Sequence, residues 1–384
     1  MKRFKLALFS AILASSLLFG CGKKEEAVVE EPVVEEPQEE ATEEPAEEEV
    51  VEEVGEVLPA GKARLATTGE VVDEAVANER PIAIMLPTDK AAQPQYGIGQ
   101  AGVLYECMEE GDMSRQMAII DGWKDIEKLG NVRSCRDYYV YWALEWDPIL
   151  VHFGGPYYLA DAVSRSDVHN ITGCAVNSTN SAPGAGAFYR TDDKAAPHNA
   201  YTSGKNLTQY CESLEYPLTH ENPEYHPDHF NFAVNGENTL DVDGAFDAKE
   251  VDFGKAFPCT KSGLTYNEST GKYDKTLYGA PQKDGATGEQ LQFDNILVQF
   301  AHYETRDAKG YLAFACHDNT HDGYLITKGK AVHVLWRKSS DYSPTEFFYD
   351  DLTPVEVNLG KTYIAVVQDD KSVTIDGTEY KPGN

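Results

Sequence analysis

Residues 25–56 constrain the fold most, because they cannot contribute to a folded core. This segment contains sixteen glutamates among Val, Pro and Ala, and it has no aromatic residue and no Lys or Arg. High like charge with little apolar bulk cannot offset the entropy cost of ordering a chain. We therefore predict a disordered acidic stalk over residues 21–70. The alternative is a tail that binds a basic partner.

The N-terminus has the pattern of an export signal. A basic start precedes an apolar run over residues 6–19, which is too short to span a bilayer as a helix. Cys21 follows directly after Gly20, as is typical of bacterial lipoprotein signals, in which the cysteine receives a diacylglycerol. We predict a signal peptide over residues 1–20, lipidation at Cys21 and anchoring at the outer face of the cytoplasmic membrane. An ordinary signal peptide with a chance cysteine is the alternative.

The remaining chain is acidic and long enough for a large core. Residues 57–384 contain 48 Asp and Glu against 28 Lys and Arg, a net charge of −20. Such a body lacks the cations that neutralise phosphates, so we expect no nucleic-acid partner. About 310 residues after the stalk suffice for one large or two ordinary domains.

The two halves of this body differ in pattern, which predicts an α+β fold. Residues 71–222 form a mixed α/β N-terminal domain, with strands over 81–86, 102–108, 113–123 and 149–153 and helices over 134–146, 157–164 and 204–214. Residues 223–384 form a mostly antiparallel β domain, with strands over 229–234, 291–300, 310–316, 323–327, 331–336, 345–349 and 362–368.

Six cysteines remain once Cys21 is acylated, and none lies in a CxxC pair. An even number in an exported protein permits disulfides, with fifteen possible connectivities. Widely scattered cysteines fit buried free thiols equally well, and the sequence leaves both interpretations open.

Two arginines at the start of the predicted helix suggest an anion site. Arg133 and Arg136 would lie beside free backbone N–H groups at the helix N-terminus, which favours a carboxylate or phosphate ligand. The alternative is that both arginines simply pair with Glu106, Glu109 or Asp137.

Two histidines lie at predicted turns. His152 ends an apolar strand just before two glycines, and His198-Asn199 follows Pro197. Either histidine could act as an acid or base, although core or turn-capping roles are commoner for a histidine such as His152, and a structural turn explains His198 equally well. The candidate ligand or catalytic residues are Glu106, Arg115, Arg133, Arg136, His152, Arg190, His198 and Asn199.

Metal and cofactor motifs are weak in this sequence. The His/Asp clusters over residues 226–229 and 317–322 match no defined zinc motif, and residues 241–247 lack the closing glutamate of a calcium loop. GxSxG, P-loop, GxGxxG and HExxH motifs are absent from the sequence. We predict neither a metal nor a cofactor.

Several segments resemble one family in order and spacing. They run through residues 80–85, 103–106, 130–136, 151–155, 196–203, 295–299 and 336–338 and on to 360–362, so they cover roughly residues 78–368. In these segments the chain resembles the YerB-type family of bacterial lipoproteins, whose function is uncharacterised. The resemblance implies an N-terminal family domain and a smaller C-terminal one, and it implies no mechanism.

Two functional hypotheses follow. The first is a binding or scaffold lipoprotein of the cell envelope that acts on wall polymers or envelope proteins. The alternative is an envelope hydrolase. In that case Glu106 and His152 or His198 would transfer protons, while Arg115, Arg133, Arg136 and Arg190 hold an anionic substrate. The sequence does not decide whether the chain is an enzyme.

Overall fold

The computed structural model describes residues 57–176 and 182–383. The predicted signal peptide, the lipidation site Cys21 and the stalk up to residue 56 lie outside the described residues.

The helices are short. In the described part of the chain the α-helices are α1 (Glu74–Ala77), α2 (Asp137–Leu144), α3 (Ala160–Val163) and α4 (Gly204–Ser213). Single 3-10 turns lie at Lys90–Ala92, Ile98–Gln100, Trp123–Asp125, Tyr157–Leu159 and Ala185–Ala187.

Strands dominate both halves of the described chain. Those of the first half are β1 (Lys62–Arg64), β2 (Val71–Asp73), β3 (Ile82–Pro87), β4 (Val103–Met108), β5 (Ser114–Ile120), β6 (Leu129–Gly130), β7 (Ile149–His152), β8 (Asn170–Thr172), β9 (Tyr189–Arg190) and β10 (Ala200–Thr202). Those of the second half are β11 (Phe246–Asp247), β12 (Glu250–Asp252), β13 (Gly263–Asn267), β14 (Lys272–Leu277), β15 (Ala280–Pro281), β16 (Gln292–Phe293), β17 (Asn295–Ala301), β18 (Tyr303–Thr305), β19 (Leu312–Phe314), β20 (Asp318–Thr327), β21 (Lys330–Lys338), β22 (Glu346–Phe348), β23 (Thr362–Gln368), β24 (Val373–Ile375) and β25 (Thr378–Tyr380).

One large mixed sheet combines strands from both halves of the chain. Its order is β11-β21-β20-β17-β23-β4-β5-β3-β7-β8, with β22 added on β21. The C-terminal strand β23 lies parallel between β17 and β4. Every residue of β23, β3, β4 and β5 is buried. Strands that are apolar along almost their whole length are typical of a sheet whose two faces are both covered. The predicted domains 71–222 and 223–384 therefore share a sheet, and the boundary between them stays a prediction.

The two faces of this sheet are covered differently. A second sheet, with the order β15-β14-β13-β12-β24-β25 and β16 on β14, covers the face that carries Glu106, whose carboxylate accepts a hydrogen bond from Ser262. Helix α2 covers the opposite face, where Tyr139 Oη donates to the carbonyl oxygen of Arg115 at 2.6 Å. Because side chains alternate between faces along a strand, Glu106 and its neighbours in β4 point to different layers.

The observed fold confirms the predicted α+β class with a mostly β second half. The strand predicted over residues 362–368 is β23, and the predicted helix over 134–146 is the shorter helix α2. Residues 229–234 form no strand and contribute one isolated bridge at Phe232. The strands β12 to β14 of the second sheet were not predicted, because their exposed positions are polar and their apolar runs are short.

The last part of the segment predicted as a stalk over residues 21–70 is folded. Strand β1 pairs with β2 in antiparallel register, and Thr67 is 1% exposed. Leu65 is buried as well, so this short segment after the acidic run has apolar and hydrogen-bonding partners that offset its ordering entropy.

The six described cysteines are free thiols, so the second of the two cysteine interpretations fits the structure. Four of them are buried and two are exposed: Cys107, Cys135, Cys211 and Cys316, and Cys174 and Cys259 respectively. Within residues 57–176 and 182–383, the structure contains no helix with the length and apolar character needed to span a membrane.

Candidate functional site

The candidate site lies where two parallel strands of the large sheet separate. Strands β3 and β7 are paired from Ile82 to Ile84, and beyond this point the segment before helix α2 enters between them. The backbone N–H of Arg133 donates to Met85 O at 2.9 Å, and the N–H of Phe153 donates to Arg133 O at 2.9 Å. Ligands of open α/β sheets bind at such carboxyl ends of parallel strands.

Five residues form a closed ring of contacts at this edge, which we call the edge cluster: Arg133, Phe153, Arg190, His198 and Asn199. Arg133 Nη1 lies 3.2 Å from His198 Nδ1, and Arg190 Nη1 donates to Asn199 Oδ1 at 2.6 Å. The Arg190 guanidinium carbon lies 4.9 Å from the centre of the Phe153 ring. The cluster therefore contains four of the eight predicted site residues.

The protonation of His198 follows from its contact with Arg133. A guanidinium can only donate, so Nδ1 of His198 must accept and the ring proton lies on Nε2. Burial lowers the pKa of His198; Asp89 opposes this shift, and the neighbouring Arg133 reinforces it. His198 is therefore neutral near pH 7 and leaves Nε2–H as a donor.

The two arginines of the edge cluster have no acidic partner in the described chain. No carboxylate oxygen of residues 57–176 or 182–383 lies within 4.0 Å of the side-chain nitrogens of Arg133 or Arg190. Burial lowers the pKa of Arg133 and the nearby Arg115 reinforces this shift, while the more distant carboxylates of Asp89 and Glu109 oppose it. Asn199 orients Arg190 while its own Nδ2 donates to Thr191 O at 2.9 Å. The cluster thus offers donors and positive charge, which suit an anionic group.

The other two predicted arginines are internally paired. Arg115 pairs with Glu109, and Arg136 pairs with Glu109 at 3.0 Å and with Glu110. Burial lowers the pKa of Arg136, but these carboxylates outweigh it and hold the pKa above its ordinary value. The alternative weighed for the helix N-terminus, pairing with nearby acids, therefore applies to Arg136 and not to Arg133.

Glu106 lies in a closed polar network on the other face of the sheet. Its carboxylate accepts hydrogen bonds from Ser114 (2.6 Å), Ser262 (2.6 Å), Gln116 (2.9 Å) and Tyr363 (2.9 Å). Lys275 Nζ lies 3.4 Å away, and both side chains are fully buried. Burial raises the pKa of Glu106, but Lys275 and the hydrogen bonds outweigh it and hold the pKa below its usual value.

His152 is also internal. Its ring is fully buried, Nδ1 lies 2.8 Å from Gly154 O, and burial lowers its pKa. The chain turns sharply after it at Gly154, where φ is +72° and a Cβ would overlap Cys174 Sγ. His152 therefore fixes the turn that leads to Phe153 and is not part of the edge cluster.

Sequence reasoning missed a second buried network, around Glu145. Lys338 Nζ lies 3.3 Å from the carboxylate, and Thr345 donates both its N–H (2.8 Å) and its hydroxyl (2.7 Å) to it. Burial raises the pKa of Glu145, but Lys338 and His229 outweigh it and hold the pKa at about 2. These partners are about 200 positions apart in the chain, so no local spacing could have indicated the network.

His229 borders a cavity beside this network. Its ring stacks on Trp146 with centroids 3.6 Å apart, and the adjacent cavity of about 420 Å³ is lined by residues 226–231 and 343–348. Among the described residues, no group of three or more His, Cys, Asp and Glu side chains is arranged to hold a metal ion.

Comparisons with known proteins match both halves of the chain. Residues 67–217 match the family model "Protein of unknown function (DUF3048) N-terminal domain", and residues 254–364 match the corresponding C-terminal domain. The chain is 25% identical over 327 residues to "Putative lipoprotein YerB" of Bacillus subtilis (strain 168), covering 83% of this chain and 91% of that protein.

A solved structure supports the fold. The crystal structure of the YerB protein from Bacillus subtilis matches with a TM-score of 0.67 and 23% identity, covering 82% of this chain and 100% of that one. The two domain models follow each other in the expected order, and one curated relative spans both of them. The chain therefore belongs to the YerB-type family, whose two domains are described as being of unknown function.

Proposed function

We propose that this protein is a lipid-anchored binding protein of the cell envelope, whose edge cluster holds an anionic group of an envelope polymer or protein. The observation that carries the proposal is the pair Arg133 and Arg190, which have no carboxylate partner in the described residues of a body with net charge −20. In so acidic a protein, cations left without acids beside an aromatic ring favour a ligand that supplies the negative charge.

The positions of the predicted site residues fit a binding function better than a hydrolase function. A hydrolase would need Glu106 or His152 to reach a substrate, but both side chains are fully buried and hydrogen-bonded to internal partners. Glu106 and Arg115 also lie on opposite faces of the sheet, since Glu106 pairs with Gln116 and Cys107 pairs with Arg115. Of the predicted acid or base groups, His198 alone lies beside the arginines, and no carboxylate of residues 57–176 or 182–383 contacts its ring to orient it.

The lipid anchor is supported by the leader ending at Cys21 and by the printed name of the Bacillus relative. We expect the wild-type chain to fractionate with membranes and to be cleaved by protease added to intact protoplasts. The Cys21→Ala variant should leave the membrane fraction. A Cys21→Ala chain that stays membrane-bound, or a native chain protected in protoplasts, would refute the anchor.

The binding role is tested by cosedimentation of the detergent-solubilised full chain with purified bacterial cell walls. The Arg133→Ala/Arg190→Ala variant should need at least about thirtyfold more wall for half-maximal binding, because two charge-assisted hydrogen bonds of more than about 1 kcal/mol each are lost and about 1.4 kcal/mol is tenfold in affinity. The matched control is Arg337→Ala, which removes an exposed arginine already paired with Glu346 at 2.7 Å. Equal sedimentation of all three chains would overturn the proposal.

A further inference from the structure

The cavity beside the Glu145 network has mostly apolar walls, and we call it the His229 cavity. Its volume is about 420 Å³, within the range of about 300–1,000 Å³ that is typical of ligand pockets. None of the five edge-cluster residues lines it. Three prolines and three phenylalanines line it: Pro227, Pro344, Pro354, Phe230, Phe347 and Phe348. These walls suit an apolar group of a ligand.

His229 is a lining residue of this cavity, and one nitrogen of its buried ring has no partner. The side chain is 1% exposed, and the ring stacks on Trp146 with centroids 3.6 Å apart. Nε2 lies 3.4 Å from Glu145 Oε2, and a carboxylate can only accept, so the ring proton lies on Nε2. Nδ1 is then an acceptor, and it has no hydrogen-bond partner among the described residues. Because buried polar groups are nearly always hydrogen-bonded, this nitrogen indicates a ligand that donates.

The backbone around His229 is unpaired as well. Within the described chain, the backbone groups of residues 226–230 neither donate nor accept a hydrogen bond, although His229 and Phe230 are only 5% and 6% exposed. Buried backbone N–H and C=O groups are almost always paired in folded proteins. A run of free N–H and C=O groups along one wall is complementary to the main chain of a peptide, which presents both kinds of group.

The charge at this cavity is negative. Asp228 lines the cavity, is exposed and contacts no cation among residues 57–176 and 182–383. Glu346 lines it too, and its carboxylate is paired with Arg337 at 2.7 Å. In a body of net charge −20, Asp228 attracts a cationic group of a ligand and repels an anionic one.

We propose that the His229 cavity binds a peptide segment of a partner protein, with an apolar side chain between its walls and a lysine or arginine beside Asp228. Main-chain N–H groups of the peptide donate to His229 Nδ1 and to the free carbonyl groups of residues 226–230. This second site goes beyond the proposed function, because it shares no residue with the edge cluster. A small apolar molecule would contact the walls but leave the backbone groups unpaired.

The experiment measures dissociation constants by isothermal titration calorimetry. The full chain is held in phosphatidylcholine nanodiscs, so that no detergent competes for the apolar cavity. The probe is the acetylated and amidated pentapeptide Lys-Gly-Phe-Gly-Lys. Replacing its phenylalanine by serine should weaken binding at least about tenfold, since the buried ring is lost. Methylating the phenylalanine nitrogen removes one N–H donor and should weaken binding about threefold to tenfold. Replacing both lysines by glutamate should weaken it as well, and free indole should bind less tightly than the peptide.

Matched variants of the protein locate the peptide. Phe348→Ala removes an aromatic wall and should weaken binding about threefold to tenfold, whereas Phe246→Ala, at another half-buried phenylalanine that does not line the cavity, should change nothing. Asp228→Asn should reduce the preference for the lysine peptide over the glutamate peptide, and Asp243→Asn, at an exposed aspartate outside the cavity, should preserve it. His229→Phe keeps a ring without an acceptor, so it should bind the methylated and unmethylated peptides about equally.

Several outcomes would overturn the inference. They are no heat of binding at a peptide concentration of about 1 mM, equal or tighter binding of indole, and tighter binding of the glutamate peptide. Equal losses in Phe348→Ala and Phe246→Ala would also refute this location, and these variants decide the question even if His229→Phe does not fold. Arg133→Ala/Arg190→Ala should bind the pentapeptide as the wild type does. A loss in that variant would place the peptide at the edge cluster, whereas unchanged peptide binding with unchanged wall binding would refute the proposed function alone.

Discussion

The interior of the protein and the edge of its large sheet differ in how their charged side chains are paired. In the interior, Glu106 is fully buried with Lys275 and four hydrogen-bond donors, and Glu145 is fully buried with Lys338 and Thr345. At the edge, Arg133 contacts the neutral His198 ring and Arg190 contacts Asn199 and the Phe153 ring, and neither arginine has a carboxylate contact in the described chain.

The difference separates structural charges from charges available to a ligand. A buried ion with every lone pair occupied holds layers together, because loss of one partner leaves an uncompensated charge. The Glu106 network does this between the large sheet and the second sheet, which supplies Ser262 and Lys275. A cation near the surface without an acidic partner contributes little to stability and retains its capacity to bind an anion.

The largest expected effect comes from breaking the interior pair. Lys275→Met leaves the Glu106 carboxylate buried without its cation, and we expect the free energy of unfolding to fall by about 3–5 kcal/mol. Urea denaturation followed by circular dichroism measures the loss.

The matched control removes both charges. The Lys275→Met/Glu106→Gln double variant should recover much of the loss, since replacing a buried pair by neutral groups of similar volume is often nearly neutral. A double variant as unstable as the single one would show that the loss comes from packing and not from the unpaired carboxylate.

A smaller effect is expected from one donor of the same network. Tyr363→Phe removes the hydroxyl that donates to Glu106 at 2.9 Å and keeps the ring. A hydrogen bond to a charged group contributes about 1.5–3 kcal/mol, so the urea midpoint should fall by less than in Lys275→Met. An unchanged midpoint would mean that the remaining donors compensate fully.

Acid should destabilise the interior through His152. Burial lowers the pKa of His152, so between that pKa and the ordinary histidine value the unfolded chain binds more protons than the folded one. Stability from the neutral ring is therefore present above the ordinary value and is lost as the pH falls through the window. The free energy of unfolding, measured from pH 7.5 down to 5, should fall more steeply for the wild type than for His152→Gln. An identical slope in both chains would contradict a buried neutral His152.

Part of this difference between interior and edge charges could have been predicted from the sequence. Strand pairing and pleat decide which side chains meet, and in β4 and β5 Glu106 pairs with Gln116. Two adjacent strands joined by a short turn are recognisable from sequence, but a one-residue change of register moves every side chain to the other face. Grouping Glu106 with Arg115 assumed that closeness in sequence meant a common face.

The remaining contacts depend on long-range topology. Strand β23 was predictable from its apolar run, and the helix predicted over residues 134–146 is present as α2, although α2 begins only at Asp137 and has no side-chain cap. The insertion of β23 beside β4 was not predictable, because a parallel pairing between residues about 260 positions apart has no local signal. The partners of Glu106 in the second sheet were missed for the same reason.

The smallest effect on stability is expected at the edge cluster itself. Arg190 is exposed, and among the described residues its side chain contacts only Asn199 and the Phe153 ring, so Arg190→Ala should change the free energy of unfolding by no more than about 0.5 kcal/mol. The same urea titration used for Lys275→Met checks this. A loss above 1 kcal/mol would place Arg190 with the structural charges. If Arg190→Ala leaves the free energy of unfolding unchanged but reduces wall binding, Arg190 contributes to binding and not to stability. This is expected, because residues that bind a ligand need not stabilise the fold.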